Sequence, residues 1–248
     1  MKSMLGNSSM TKLLLRWLSK VAPGVYHVSP ECLGNSRYSI NEMRRFPKDP
    51  AFLRENIHTV LETIFYVRAS FFRPKIGDIR ICQPPMIWHY NLTGPEAIMA
   101  NEGNCGALSS LLNYLLKGKY TEVGFIACSD EEGGHVFNYV KQDDKYYFID
   151  LLNYLYGSKA MEHSSTMIYE ATSLEAYAAY YQQRSKKKIK LVVSYQSEHV
   201  LPMGRKKNEP IMYFPVEKPI NLLLETPETG IVARFYDEKT ERVCINKG

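Results

Sequence analysis

Apolar residues recur along this chain with two different periods, and the switch between them divides it. Between Asp49 and Phe72, the positions Phe52, Ile57, Val60, Leu61, Ile64 and Phe65 keep the three-to-four spacing of a helix face. Asp49-Pro50 supplies an N-cap and a first-turn proline, so the pattern predicts one long amphipathic helix from Pro50 to about Phe71-Phe72. Thr93-Gly94-Pro95-Glu96 reads as the cap of a short helix, Glu96 to Ala100. Asn101 to Asn104 breaks it. Ala107, Leu108, Leu111, Leu112, Leu115 and Leu116 then form a wide apolar face, which predicts a buried helix from Asn104 or Cys105 to the Lys117-Gly118 stop. From Val123 the period changes. Val123 to Cys128 is a continuous apolar run, a buried strand. His135 to Val140 alternates like a half-buried strand, and Tyr146 to Asp150 returns after a turn at Asp143-Asp144.

The flanks are less regular. Leu14, Trp17, Leu18 and Val21 fit an N-terminal amphipathic helix, expected to pack on the domain with a membrane surface as the alternative, followed by a turn-rich connector from about Ala22 to Pro47. Pro74 to Leu92 is irregular. Its Gln83, Trp88, His89 and Asn91 either line a cleft or, for Trp88 with Met86, fill core. Downstream, Thr172-Ser173 caps a helix from Leu174 to Arg184. Ile189–Tyr195, Ile211–Phe214, Ile220–Leu224 and Gly230–Tyr236 read as strands. The expected organisation is a helix and connector over 1–48, a core over 49–192, and a β extension over 193–248 on the same domain.

Composition narrows the class. With 248 residues, 45% hydrophobic and 23% charged, the chain is that of a globular protein able to bury a sizeable core without staples. The net charge of +5 comes partly from Lys186-Lys187-Lys188 with Lys190 and from Arg205-Lys206-Lys207. No aromatic residues interleave with these runs, so they read as solvated loop charge and not as a nucleic-acid surface. The five cysteines, Cys32, Cys82, Cys105, Cys128 and Cys244, are scattered and never form a Cys-x-x-Cys pair. That argues against a structural zinc knuckle and against a disulfide framework, and points to a reducing, cytoplasmic setting. No apolar run has the length of a membrane span, and Lys12, Arg16 and Lys20 interrupt the N-terminal apolar residues where a signal peptide needs an unbroken core.

One cysteine stands apart. Cys105 opens the leucine-rich helix between Gly103 and Gly106, where free N–H groups and the helix dipole favour a thiolate and its own amide can donate to an oxyanion. The glycines leave room for a substrate. His135 follows Gly133-Gly134 on the next hairpin, and Asp150 ends the returning strand. Pairing Gln142 with Asp143 across that turn puts His135 opposite Asp150, so the aspartate orients one ring nitrogen while the other faces the thiol. Cys, His and Asp are the residue types of a nucleophile, its base and the group that orients the base. A metal held by Cys128, His135 and Asp130 or Glu131 matches no common spacing. His27, His58, His89, His163 and His199 are isolated. A serine-hydrolase elbow, a phosphate loop and a dinucleotide fingerprint are absent.

The stretches Gly103-Asn104-Cys105-Gly106-Ala107-Leu108-Ser109-Ser110-Leu111-Leu112, Gly134-His135-Val136-Phe137-Asn138-Tyr139-Val140 and Tyr146-Tyr147-Phe148-Ile149-Asp150-Leu151 resemble the core of the transglutaminase-like superfamily of papain-type cysteine enzymes. The resemblance covers roughly Pro95 to Tyr156. It implies an α+β fold in which the buried Cys105 helix packs on an antiparallel sheet carrying His135 and Asp150, with extra N-terminal helices and C-terminal strands. It implies Cys105 as nucleophile, His135 as general base and acid, Asp150 as orienting acid, and a second oxyanion donor from upstream, for which Trp88 and Gln83 are the candidates. The short Cys-to-His interval and Leu151-Leu152 after Asp150, where proline is frequent in the superfamily, mark a lean member. No stretch resembles its calcium sites or its zinc-binding subfamily, so neither cofactor nor metal is expected. The implied activity is a thiol-dependent amide hydrolase or acyltransferase working through a thioester on a peptide, protein or small amide. The alternative is an inactive relative used for binding or scaffolding. Superfamily members carry out many reactions, so the motifs leave the substrate open.

Overall fold

The computed structural model describes residues 20–71, 92–101, 103–130, 134–152, 168–185, 188–198, 200, 217–218, 220–225, 234–237 and 242–245. The chain enters as a hairpin, β1 (Lys20–Ala22) and β2 (Val25–Val28), followed by one turn of 3₁₀ helix (Pro30–Leu33). Helices α1 (Ile40–Met43), α2 (Pro50–Asn56) and α3 (Val60–Ser70) come next. Two expectations are corrected here. Val21 is a strand residue and not the end of a helix; the rest of the expected N-terminal helix lies outside the described residues. The single long helix from Pro50 is two helices, because Ile57 turns extended and Thr59 starts a new one. The Thr59 side chain accepts the Glu62 N–H, while Glu62 itself takes the His58 N–H at 2.6 Å. Thr59-x-x-Glu62 is the sequence signature of such a start.

The chain continues through α4 (Gly94–Ala100), α5 (Cys105–Leu116), β3 (Glu122–Ser129), β4 (Gly134–Gln142) and β5 (Lys145–Ile149). It goes on through β6 (Ile168–Ala171), α6 (Leu174–Arg184), β7 (Leu191–Tyr195) and β8 (Asn221–Glu225). β9 (Arg234–Asp237) and β10 (Arg242–Ile245) pair as a separate antiparallel ribbon. The expected strand Ile211–Phe214 lies outside the described residues.

The fold is mixed α+β. Its eight-stranded sheet runs β1-β2-β6-β5-β4-β3-β7-β8, with every neighbouring pair antiparallel. The middle four strands, β3 to β6, are consecutive in sequence, and the outer strands come from the two ends of the chain.

Helices cover both faces. On one, Val123, Val140, Tyr147 and Ile149 join Leu108, Leu111, Leu112 and Leu115 of α5 and Val60, Ile64 and Val67 of α3. Each buried leucine there stabilises the fold by about 1.5–3 kcal/mol. On the other, α6 lays Tyr177 and Ala178 over Phe137, Tyr139 and Phe148. The Tyr177 and Phe148 rings stack with centroids 3.7 Å apart. β4 is therefore buried along both faces from Val136 to Val140, where its alternation had suggested one solvated face. The outward residues Phe137 and Tyr139 are aromatic because a second helical layer lies on them.

The hairpin register also differs from expectation. Gln142 pairs with Lys145, leaving Asp143 and Asp144 as a two-residue turn at φ of 50° and 59°. Both adopt the left-handed region that a type I′ turn demands. The partner of every β4 residue thereby moves two positions along β5.

Candidate active site

Three elements deliver their ends to one place. α5 begins at Cys105 with Asn104 as N-cap, whose side chain accepts the Ala107 N–H at 3.1 Å. The Cys105 and Gly106 amides then lie at a helix end where no intrahelical carbonyl reaches them. Gly103 has a packing reason: a Cβ there would come within 2.4 Å of the Ala107 Cβ. A side chain at 103 would push the first turn of the helix away.

His135 is the second residue of β4, and Asp150 follows the last residue of β5. The ring Nε2 and Asp150 Oδ2 are 2.7 Å apart. The other carboxylate oxygen, Oδ1, accepts the Leu152 N–H at 3.1 Å, which fixes the group at the start of the next turn. The two residues are not directly opposed. In the observed register, continuing β4–β5 pairing by one step puts Asp150 opposite Phe137, so His135 is its diagonal neighbour. A one-residue slip would have sent the pair to opposite faces. A two-residue slip keeps the face, and diagonal partners remain within reach of each other.

The Cys105 sulfur closes the set. It shares a hydrogen bond with the His135 ring and accepts the Val136 N–H. Burial opposes ionisation of this thiol. The His135 hydrogen bond, the His135 charge and the Val136 N–H outweigh burial and hold its pKa below the ordinary thiol value. For His135, burial likewise opposes the charged form, but the hydrogen bonds to Asp150 and Cys105 prevail and push its pKa up to about 10. Both shifts run in the direction of a thiolate beside an imidazolium. The His135 and Asp150 side chains remain 26% and 20% exposed, so the pair is partly desolvated yet reachable from solvent.

A second thiol provides the contrast. Cys128 lies directly across from His135 on β3, 3.4 Å from the His135 carbonyl oxygen and 3.6 Å from Tyr181 Oη. It is buried, and burial pushes its pKa up to about 12. Its burial and raised pKa keep this thiol neutral, the opposite of Cys105.

The structure thus brings together Cys105, His135 and Asp150. The candidate oxyanion donors Trp88 and Gln83 lie outside the described residues, as do His89, His163, His199 and Glu131. His58 is exposed, and His27 packs on Tyr169 with ring centroids 4.3 Å apart. Among the described residues, no group of three or more His, Cys, Asp or Glu is arranged to hold a metal ion, and no helix is long and apolar enough to cross a membrane. Sequence reasoning missed the Val136 N–H on the sulfur, and it missed Ser109 and Asn138, which link α5 to β4. Their signal was present: each is a polar residue among inward-facing apolar ones. Comparison with protein-family models, with curated proteins and with solved structures found no match.

Proposed function

We propose that this protein is a thiol-dependent amide hydrolase or acyltransferase with a papain- or transglutaminase-like core. The observation that carries the reading is His135, hydrogen-bonded to Asp150 on one side and to the Cys105 thiol on the other. With Nε2 held by Asp150, Nδ1 is the nitrogen left for the thiol. The Cys105 thiolate attacks the amide carbon, forming the S–C bond and moving the carbonyl π pair onto oxygen, where the Cys105 amide N–H stabilises it. Collapse breaks the C–N bond, and the leaving amine takes the proton of the His135 imidazolium. A thioester remains. Water or a second amine then attacks the thioester, His135 accepts its proton, and the thiolate leaves. Hydrolysis is favoured over cross-linking because the partly exposed His135 and Asp150 side chains leave the site accessible to water unless a second substrate excludes it.

The test is capture by a peptide-based electrophilic probe of cysteine hydrolases, together with turnover of a panel of peptide amides. The probe is expected on Cys105 and lost in Cys105→Ala. Turnover is expected to fall about 100-fold or more in His135→Ala, the scale of general acid–base catalysis. A chain that binds peptides but neither reacts with the probe at Cys105 nor turns over amides is a scaffold, and the proposal fails.

A further inference from the structure

The helix carrying Cys105 and the strand carrying His135 are joined by polar contacts that keep step with each other. Four helical residues advance about 6 Å and two strand residues about 6.8 Å, so Cys105 and Ser109 match Val136 and Asn138. The Val136 N–H reaches the Cys105 sulfur. The Ser109 hydroxyl donates to the Val136 carbonyl at 3.2 Å. The Ser109 carbonyl accepts from Asn138 Nδ2 at 3.1 Å, and the same amide group donates to the Gly124 carbonyl on β3 at 3.3 Å. Both side chains are inside the core, Ser109 3% and Asn138 1% exposed. Polar groups are costly there, and apolar residues of similar size would fill the space without that cost.

We propose that Ser109 and Asn138 are positioning residues that fix α5 along β4 and so hold the Cys105 sulfur at the His135 ring. The inference rests on the reading of Cys105 and His135 as nucleophile and base. The leucine face of α5 supplies most of the attraction to the sheet, but apolar contact is non-directional and tolerates sliding. Hydrogen bonds do not tolerate it, because they weaken steeply with misalignment. A displacement of about 1 Å at a reacting pair can cost up to 100-fold in rate. Ser109 binds the carbonyl of the very residue whose N–H meets the sulfur, so any slide of α5 strains both contacts together.

Ser110 offers an internal control. It is the next residue on α5 and equally buried, and its hydroxyl has no hydrogen-bond partner among the described residues. The test uses the full chain and peptide-resolved iodoacetamide labelling of Cys105 across pH. Wild type, His135→Ala, Ser109→Ala, Ser110→Ala and Asn138→Leu are compared. Ser109→Ala and Asn138→Leu are expected to move the Cys105 labelling midpoint up and slow labelling at neutral pH by about tenfold, through loss of thiolate. Ser110→Ala keeps the wild-type profile. Continued protection of Cys128 shows that each variant is folded. Wild-type profiles in Ser109→Ala and Asn138→Leu overturn the inference, and so does an equal shift in Ser109→Ala and Ser110→Ala. If Asn138→Leu does not fold, Ser109→Ala decides alone, since it removes one hydroxyl. A midpoint unchanged by His135→Ala is a different result, one that strikes the nucleophile–base reading itself.

Discussion

Two cysteines flank His135, and their surroundings send them in opposite directions. Cys105 sits at a helix start beside an imidazolium, which keeps its thiol below the ordinary value. Cys128 is sealed in the core, where burial pushes it up to about 12. Iodoacetamide at neutral pH is therefore expected to modify Cys105 and spare Cys128 in the folded protein, as read by peptide mass spectrometry. Equal labelling of both would contradict the geometry. The same shifts set the pH profile. Thiolate fraction rises through the lowered pKa of Cys105, so under the proposed mechanism the acid limb of kcat/KM is expected below the ordinary thiol value of 9.0. In the proposed mechanism the imidazolium protonates the leaving amine, so activity is expected to fall as pH rises through about 10. An acid limb at the ordinary thiol value would remove the support that His135 gives. At this scale the sequence was informative. A cysteine at the head of an apolar helix, a histidine after paired glycines and an aspartate at a strand end each announce their local setting. The Val136 N–H was not legible, because a backbone donor carries no side-chain signature and depends on how α5 docks.

Most elements followed from periodicity and caps, and the failures have specific causes. The run from Pro50 to Phe71 keeps its apolar spacing across Ile57-His58-Thr59, so the pattern alone hides the break. The buried Glu62 makes the break visible. Its carboxylate meets Arg37 Nε at 3.0 Å as well as the His58 N–H, and burial, which opposes its charge, is outweighed by these contacts so that its pKa is lowered. The β4–β5 register was misjudged because Asp143 was counted as a paired residue. Its left-handed φ, and that of Asp144, show that both are turn residues. The second position of a type I′ turn strongly favours glycine. Asp144→Gly is expected to relieve that strain, together with the repulsion of adjacent carboxylates, and to stabilise the protein by about 0.4–1 kcal/mol. The check is the urea midpoint at constant m-value. A lower midpoint would show that the Asp144 side chain contributes more than its backbone costs.

For the molecule as a whole, the sequence indicated a helix-covered antiparallel sheet, but not its width or the origin of its edges. Long-range pairings such as β2 with β6 and β3 with β7 join segments far apart in the chain, and no local pattern encodes them. These pairings also set the order in which the sheet can form. His135 on β4 and Asp150 just past β5 lie within the consecutive central run, and Cys105 lies on α5, the helix that immediately precedes it. The N-terminal hairpin, in contrast, has no place in the sheet until β6 exists to receive it. Native-state hydrogen exchange is expected to follow that hierarchy, with amides of β4 slowest and those of the edge strands β1 and β8 fastest. Exchange from β4 as fast as from β1 would break the expectation. Contacts close in sequence form early because little loop entropy opposes them. On a ribosome, the segment bearing all three site residues is finished before either flank of the sheet can close. The thiol and its base thus come from one contiguous stretch of chain, and the strands that flank them have to be recruited from farther away.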